Sequence, residues 1–530
     1  MERDVLKKLT LSVMGLVEAL SLGSARAERG DFHALYRGQS IDSLIIQFME
    51  ENNLPGLSVA IVQAPYIPRV MGYGMADTTA KRLVGTHTVF NIGQMTTAFT
   101  AVAIMQLKEE NKLTLDDPIK KYIPNVPAAW NEITIRQLFT HSSGLPSYTD
   151  LKEFNYATPF SVDQIIQLFK ERPLLFAPGT NVANSATDYY LLGLIVEKAS
   201  GVSYEEYVTK NQIERVGLKH TFFLSTQNNI QSEINNGSKP FKHEQFKHDT
   251  AYINPTEPAV GYTAAEDKLV ETKSNHWTAA YANAGIVSSA EDISLWDIAL
   301  AGDILIKDAA NRAFLYGPVT LASGKVIPAN AGWQFPGHPG LMYITGNVPG
   351  FSSYLSRFTD AKELVCVTLL VNKDNVKGLD ILARKIAGAY DANLAAPAGA
   401  PWTVTVQSPY TVEETLDRAA KIVEAQGGKV FARIDHSGEA AKVNQKLNTT
   451  QVLLIGNPSK GTVLMQNNNA IAIDLPLKVL AWRDNAGQVW VSFTDPVVLA
   501  KVYNITGLDP QLKKMQDALV QLVQKATTPY

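Results

Sequence analysis

One stretch decides how the first domain of this chain folds, and it reads Phe90-Asn91-Ile92-Gly93-Gln94-Met95-Thr96-Thr97-Ala98-Phe99-Thr100-Ala101-Val102. Asn91 and Gly93 favour a turn at the start of the stretch. Ala98, Val102 and Met105 then recur at helical spacing. The pattern therefore predicts a turn that leads directly into a buried helix, and the segment 113–118 closes it.

The length and composition of the chain indicate a folded protein with several domains. Its 530 residues suggest about three domains of roughly 150 residues each. Hydrophobic residues make up 45% of the chain and charged residues 19%, which is enough for a sizeable core. The net charge of −3 and the lack of a basic stripe argue against a nucleic-acid partner.

The chain has one cysteine, Cys366, which lies in an apolar run. A single cysteine excludes an intrachain disulfide and a cysteine-type metal cluster. A small apolar side chain in a buried strand is the simpler interpretation of Cys366 than a nucleophile. No metal or nucleotide motif stands out, so the sequence predicts neither a metal nor a cofactor.

The N-terminus has the pattern of a secretory signal. Lys7 and Lys8 precede a mostly apolar stretch, and Ala25-Arg26-Ala27 fits a cleavage site between small residues. Glu18 interrupts the apolar stretch, and an amphipathic helix is the alternative interpretation. We expect residues 1–27 to be a signal peptide, and the mature chain to be periplasmic or secreted. No other segment approaches the roughly 20 apolar residues of a transmembrane helix.

The order of the elements predicts an α+β fold. A helix over 41–50 precedes strands over 57–62 and 70–77, and a long helical region follows. Further strands are expected near 340–372, followed by a helix over 380–392. Helices that interrupt a sheet in this way are typical of α+β proteins.

Several motifs in this order resemble the serine β-lactamase and penicillin-binding-protein superfamily, in its class C-like and esterase-like branch. Besides the opening stretch, they include the string 133–146, which contains His141-Ser142-Ser143-Gly144. The resemblance implies an antiparallel sheet flanked by helices, with a helical subdomain, over residues 28–392. In the superfamily a serine opens the helix and a lysine follows three residues later. Gln94 and Thr97 occupy those two positions here.

Two further motifs of the superfamily are altered in the same way. Its Tyr-x-Asn triplet aligns with Asn184-Ser185-Ala186, and its Lys-Thr-Gly or His-Thr-Gly triplet aligns with Ile344-Thr345-Gly346. The resemblance implies that the tyrosine is the general base and that the cation supplies a positive field. His338 is a second possibility for the cation, although it lies far from Pro349-Gly350 along the chain. By resemblance, His141 orders its loop.

The C-terminal region is predicted to be a second, small α+β domain. Residues 393–410 are rich in alanine, proline and glycine and are predicted to be a linker. Within 411–530 the patterns predict helices near both ends and strands over 429–436, 452–456, 470–476 and 489–493. This region resembles a small domain family of unknown function, which gives a fold expectation without chemistry.

The leading functional hypothesis is an exported pseudoenzyme that binds a small molecule or a peptide in the old cleft. Removing the members of an interdependent catalytic unit costs about six orders of magnitude in rate. Backbone N–H groups of Gln94 and Asn347 would remain as donors, as the resemblance implies. The residues expected to line the cleft are Gln94, Thr97, Tyr148, Asn184, Thr345, Gly346 and Asn347.

Three alternatives remain open at this point, and so does the oligomeric state. The first is a hydrolase with a relocated nucleophile. The second is an interaction protein that acts through its C-terminal domain, and the third is a drifted copy without a ligand. The residues considered for a relocated site are Thr96, Thr97 or Ser185 as nucleophile and Tyr148, Tyr189 or Tyr343 as base.

Overall fold

The computed structural model describes residues 34–63, 66–169, 172–227, 256–266, 268–338, 340–359, 364–400 and 402–529. The predicted signal peptide, residues 1–27, lies outside these ranges. Within them, no helix combines the length and the apolar character that crossing a membrane requires.

The strands of the described chain form one large sheet, a smaller C-terminal sheet and several short ones. In chain order they are β1 Leu35–Tyr36, β2 Gln39–Ser40, β3 Gly56–Gln63, β4 Tyr66–Asp77, β5 Arg82–Leu83, β6 Thr88–Asn91, β7 Thr221–Phe223, β8 Glu257–Pro258, β9 Tyr262–Ala265, β10 Lys268–Glu271, β11 Ile286–Ser288, β12 Val319–Thr320, β13 Val326–Ile327, β14 Ala329–Asn330, β15 Trp333–Gln334, β16 Leu341–Val348, β17 Phe351–Phe358, β18 Val365–Val371, β19 Thr403–Ser408, β20 Lys429–Asp435, β21 Thr450–Gly456, β22 Leu477–Arg483 and β23 Val489–Thr494.

The large sheet has the strand order β14-β15-β16-β17-β18-β3-β4-β5. Every pair of neighbours in it is antiparallel. Strands β3 and β18 pair at its centre from Leu57 opposite Val371 to Gln63 opposite Val365. They are buried almost throughout, because both faces of the sheet carry helices. Their uninterrupted apolar runs are the expected signature of such strands.

The helices pack on both faces of this sheet and in a separate helical region. The α-helices of the described chain are Ile41–Asn52, Thr96–Glu109, Ile135–Phe139, Val162–Phe169, Ala186–Ser200, Tyr204–Val208, Glu214–Val216, Trp277–Ala284, Ala290–Ala301, Ala309–Leu315, Leu379–Tyr390, Val412–Ala425, His436–Lys442, Pro458–Asn467, Pro496–Val502 and Asp509–Thr527.

Two hydrophobic cores lie on opposite faces of the large sheet. The helices Ile41–Asn52 and Leu379–Tyr390 cover one face, and the helix Ala290–Ala301 and the helical region cover the other. The helix Thr96–Glu109 is buried on all sides from Thr96 to Leu107, which explains why its sequence shows little amphipathic contrast. The predicted α+β fold, with its flanked antiparallel sheet and helical subdomain, is confirmed.

The C-terminal domain is a five-stranded antiparallel sheet in the order β19-β23-β22-β21-β20. The helices Val412–Ala425 and Asp509–Thr527 contribute to one core with it. The linker prediction over 393–410 is wrong in part, because β19 lies inside it and pairs along its whole length with β23. The strand predicted over 470–476 is also wrong. The chain forms the 3-10 helix Asn469–Asp474 instead, which buries Ile471 and exposes Ile473.

Candidate functional site

The predicted turn and strand β16 approach each other at two glycines. A 3-10 turn, Gly93–Met95, precedes the helix Thr96–Glu109. A Cβ on Gly93, whose φ is +55°, would lie 2.9 Å from the backbone nitrogen of Asn347. A Cβ on Gly346 would lie 2.0 Å from the carbonyl oxygen of Ile92. Only glycine allows this approach, which places residue 94 directly beside the edge of β16.

The side chain of Gln94 accepts a hydrogen bond from the backbone N–H of Asn347, a donor that was expected to be free. The backbone N–H of Asn347 donates to Gln94 Oε1 over 2.7 Å. The expectation of a free N–H at Asn347 is therefore wrong, because the amide of Gln94 is long enough to reach it. Since a backbone N–H can only donate, the contact also fixes the orientation of the Gln94 amide. Its Nε2 must face away from Asn347.

Thr97 and Ile344 are brought together, but in a closed environment. The Thr97 hydroxyl donates to the carbonyl oxygen of Gln94 over 2.8 Å. Both side chains are buried. A Cβ on Gly332 would lie 2.4 Å from Thr97 Oγ1 and 3.0 Å from Ile344 Cδ1. The β14–β15 hairpin therefore closes over both side chains, and neither reaches an open cleft.

The strand residues after Ile344 differ in their accessibility. Thr345 and Asn347 are exposed, and Gly346 is buried between them. The side chain of Asn347 is held by Asn375, whose backbone N–H donates to Asn347 Oδ1 over 2.6 Å. In return, Asn347 Nδ2 donates to Asn375 Oδ1 over 3.1 Å. Both the backbone and the side chain of Asn347 are thus engaged within the protein.

The triplet 184–186 lies at the start of the helix Ala186–Ser200. Asn184 is exposed, whereas Ser185 and Ala186 are buried. Ser185 occupies the N-cap position, but its side chain does not cap the helix. Its Oγ is buried without a hydrogen-bond partner. The Ser147 hydroxyl accepts from the N–H of Ala186 instead, over 3.1 Å.

His141 belongs to a buried polar cluster with Asp188. The His141 ring nitrogen Nδ1 lies 2.8 Å from Asp188 Oδ2, and the Ser143 hydroxyl donates to Asp188 Oδ1 over 2.5 Å. Burial raises the pKa of Asp188, and the contacts with His141 and Ser143 oppose that rise. These contacts order the loop, as predicted for His141. Asp188 was not singled out from the sequence, although it is an acidic residue in the first turn of a mostly buried helix.

The tyrosines proposed from the sequence are all placed away from an open cleft. Tyr148 is fully buried, and its hydroxyl donates to the carbonyl oxygen of Ala279 over 2.7 Å, so it forms no wall of the cleft. Tyr189 donates to the carbonyl oxygen of Phe139. Tyr343 stacks on Tyr354 in the core on the other face of the sheet. Burial raises the pKa values of Tyr148 and Tyr343, which keeps both hydroxyls protonated.

Two residues that the sequence did not single out lie beside Gln94. Tyr156 Oη and Asn283 Nδ2 are buried and make no hydrogen bond of normal geometry. Burial raises the pKa of Tyr156, and the side chains of Gln94 and Asn283 partly oppose that rise. The side chains of Gln94 and Asn283 therefore lie close enough to the Tyr156 hydroxyl to act on it. In the sequence, Tyr156 stands out only as a tyrosine within a polar loop, and Asn283 does not stand out.

His338 does not lie at the position where the resemblance implies a cation. It lies before the first residue of β16, whereas Thr345 and Gly346 lie near the last. At about 3.3 Å per residue, Leu341 and Gly346 are separated by roughly 17 Å. The His338 ring instead meets the Phe358 ring edge to face, with centroids 5.4 Å apart. His338 as the cation is therefore wrong, because His338 and the Thr345-Gly346 pair lie at opposite ends of β16.

Comparison with known proteins finds a matching family model for each of the two domains. The sequence model described as "Beta-lactamase" matches residues 41–391, and "Domain of unknown function DUF302" matches residues 404–526. "Protein flp" of Staphylococcus aureus (strain MW2) is 26% identical over 324 residues, 60% of this chain and 60% of that protein. "Penicillin-binding protein 4*" of Bacillus subtilis (strain 168) is 28% identical over 299 residues, 55% of this chain and 62% of that protein. The chain thus spans about three fifths of the length of these curated relatives.

Solved structures agree with this placement at the level of the fold. The octameric penicillin-binding protein homologue from Pyrococcus abyssi has a TM-score of 0.55 and 22% identity, and the match covers 85% of this chain and 89% of that one. A class C beta-lactamase has a TM-score of 0.51 and 20% identity, over 68% of this chain and 96% of that one. Because the beta-lactamase match covers about two thirds of the sequence, the chain belongs to the beta-lactamase family.

Proposed function

We propose that this protein is a pseudoenzyme whose cleft binds a small molecule or a peptide without forming an acyl intermediate. One observation carries the proposal: the hydrogen bond between Gln94 Oε1 and the N–H of Asn347. By the family resemblance, that N–H would polarise a substrate carbonyl, and Gln94 would stand at the nucleophile position. A carboxamide is not a nucleophile, and here it also occupies the donor that acyl transfer needs.

The neighbours of Gln94 support reversible binding. Tyr156 Oη and Asn283 Nδ2 are buried polar atoms without a hydrogen bond of normal geometry, and the side chains of Gln94 and Asn283 both act on the Tyr156 hydroxyl. Buried donors without partners are costly, so a ligand oxygen that accepts from them gains free energy on binding. The expected ligand is therefore a small molecule or peptide that presents a carbonyl or carboxylate oxygen.

The contacts of the alternative nucleophiles count against a relocated hydrolase. Thr96 Oγ1 accepts from the N–H of Ile286, and the Thr97 hydroxyl donates to Gln94 O. Ser185 Oγ is buried, and the nearby His141 is committed to Asp188. Tyr148 and Tyr189 donate to the carbonyl oxygens of Ala279 and Phe139, and Tyr343 packs in the core on the other face of the sheet. A general base for any of the three is missing from the described contacts.

The proposal is tested with a fluorescent penicillin as the probe. We expect intact-mass spectrometry to find no covalent adduct after prolonged incubation, while fluorescence anisotropy reports binding that an unlabelled penicillin reverses. A stoichiometric adduct would contradict the pseudoenzyme, and the absence of any binding to penicillins and acyl peptides would contradict the ligand-binding cleft. The latter result would favour a drifted copy without a ligand.

Variants at position 94 locate the binding. Gln94→Glu keeps an oxygen for the N–H of Asn347 but loses the Nε2 donor, so we expect affinity for the probe to fall about tenfold. Gln445→Glu, an exposed site in the other domain, is the control with the same change of one negative charge. Equal losses in both variants would show that net charge, and not the cleft, governs binding.

Restoring the first motif alone is expected to leave the protein unreactive. In Gln94→Ser with Thr97→Lys, the new lysine would start from a site that the Gly332 backbone closes. Asn184 and Ile344 would still lack the base and the cation that the resemblance implies. We expect no labelling by penicillin in the intact-mass assay. Labelling at more than a trace level would mean that the cleft is still shaped for acyl transfer.

A further inference from the structure

The C-terminal domain contains a cavity of about 410 Å³ that opens to solvent. It lies between the end of the sheet and the helices Val412–Ala425, Pro458–Asn467 and Asp509–Thr527. Its floor is formed by the core residues Val423, Ile455, Leu519 and Leu522. The hydrophobic core of this domain is thus accessible from outside at one place, which leaves apolar side chains in contact with water.

The walls and the rim of this cavity are also apolar. Met465 and Met515 line its sides, and both are partly buried against the core. Phe431 stands at the rim and is 44% exposed. Methionine side chains adapt easily to a flexible apolar guest. Pockets of this volume and lining ordinarily hold a small molecule.

The one ionisable side chain among the described lining residues of the cavity is a cation. Among its described lining residues, Lys460 is the one with an ionisable side chain, and it is exposed. A second lysine, Lys429, lies with its Nζ 5.0 Å from the centre of the Phe431 ring at the rim. An apolar cavity with cations at its mouth complements an amphiphile that has an anionic head.

We propose that the C-terminal domain binds a long-chain carboxylate, with its alkyl chain in the cavity and its head at Lys460. The alkyl chain packs against the apolar walls and the floor of the cavity, and this supplies most of the affinity. The ion pair at the exposed mouth contributes less and selects for an anion. This site is separate from the beta-lactamase cleft and does not depend on the function proposed for it.

The test is calorimetric titration of the full chain with sodium dodecanoate below its micelle concentration. We expect one dodecanoate to bind per chain. Octanoate should bind roughly two hundredfold more weakly, since each buried methylene contributes about fourfold. Dodecyltrimethylammonium, which has the same chain and the opposite charge, should bind about tenfold more weakly. Equal binding of the anion and the cation, or no dodecanoate binding, would overturn the proposal.

Two variants place the ligand in this cavity. Ala518 is an exposed lining residue, so Ala518→Trp fills the cavity without altering the core and should weaken dodecanoate binding at least tenfold. Lys460→Glu should weaken it about tenfold, while Lys446→Glu, outside the lining, should leave it unchanged. Thermal unfolding checks that each variant is folded. Unchanged binding in Ala518→Trp would mean that dodecanoate sits elsewhere.

Another occupant of the cavity would give a different result. If a second copy of the chain occupied the cavity, the mass of the protein in solution would rise with its concentration. Dodecanoate would then either dissociate the dimer or fail to bind. Sedimentation of the wild type and of Ala518→Trp, with and without dodecanoate, separates these cases. A dimer that dodecanoate does not affect, together with no heat of binding, would contradict the proposed ligand.

Discussion

Gly346→Ala is expected to lower the free energy of unfolding by about 3 kcal/mol. The added Cβ would lie 2.0 Å from Ile92 O and 2.5 Å from Ser353 Oγ. Ile92 O cannot easily move aside, because it accepts a hydrogen bond of 2.7 Å from the Ser353 hydroxyl. Either β16 or the 93–95 turn must therefore shift. Urea unfolding followed by tryptophan fluorescence measures the loss.

Gly302→Ala is the matched control for this substitution. Gly302 has φ of −79°, and a Cβ there would meet nothing closer than Ile298 O at 3.7 Å. We expect its stability to stay within about 0.5 kcal/mol of the wild type. If Gly346→Ala also retained its stability, the turn and β16 would be less tightly apposed than the structure has them. The hydrogen bond from Asn347 to Gln94 would then lose its structural support.

Asp188→Ala is expected to cost about 3 kcal/mol of stability. Asp188 is fully buried, and it accepts from Ser143 and contacts His141. Its removal leaves those two buried polar groups without their acceptor, and each such loss costs about 1–3 kcal/mol. Asp188→Asn is the conservative control, because its amide oxygen can still accept from Ser143 and the His141 ring can change tautomer. A loss in Asp188→Asn as large as in Asp188→Ala would assign the effect to charge.

Comparison of the wild type with Asp188→Asn also tests how stability depends on pH. Burial raises the pKa of Asp188 above its usual 3.8 in the folded state, against the opposing effect of His141 and Ser143. The folded chain therefore keeps this proton to a higher pH than the unfolded chain does. Its contribution to stability is full below pH 3.8 and is lost as the pH rises through the folded-state pKa. Asp188→Asn has no such slope.

Urea unfolding at a series of pH values from 4 upward should reveal this difference. Relative to the wild type, Asp188→Asn should become more stable as the pH rises. A difference between the two proteins that does not vary with pH would contradict a raised pKa at Asp188. The result bears on the candidate site, because Asp188 holds the loop that carries Ser147, which in turn accepts from the N–H of Ala186.

The main elements of the fold could be read from local patterns in the sequence. Strands such as β3 and β18 are continuous apolar runs, because a strand buried on both faces has no polar side. The buried helix Thr96–Glu109 was recognisable from its turn and spacing. The errors arose where a pattern is ambiguous. An alternation of alanine and isoleucine over 470–473 fits a strand, yet the chain forms a 3-10 helix there.

The identity of the residues at the three motifs was also determined by the sequence alone. From the residues that match around them, Gln94, Thr97, Asn184, Ala186 and Ile344 are predicted to occupy the motif positions of the family. That prediction is chemical, because it names the side chains expected at the motif positions and the reactive groups expected to be missing there. It led to the hypothesis of a binding cleft, and the structure buries three of the residues expected to line it, Thr97, Tyr148 and Gly346.

Only the tertiary structure decided what those side chains touch. The Gln94 amide meets the N–H of Asn347 across 253 positions of sequence. Tyr148 is buried and donates to the carbonyl oxygen of Ala279, whereas Tyr156, which the sequence did not single out, lies near Gln94. The cavity at Lys460 likewise depends on three helices and the end of a sheet. Secondary structure follows from short-range periodicity, whereas such contacts depend on the packing of distant segments, which no local pattern encodes.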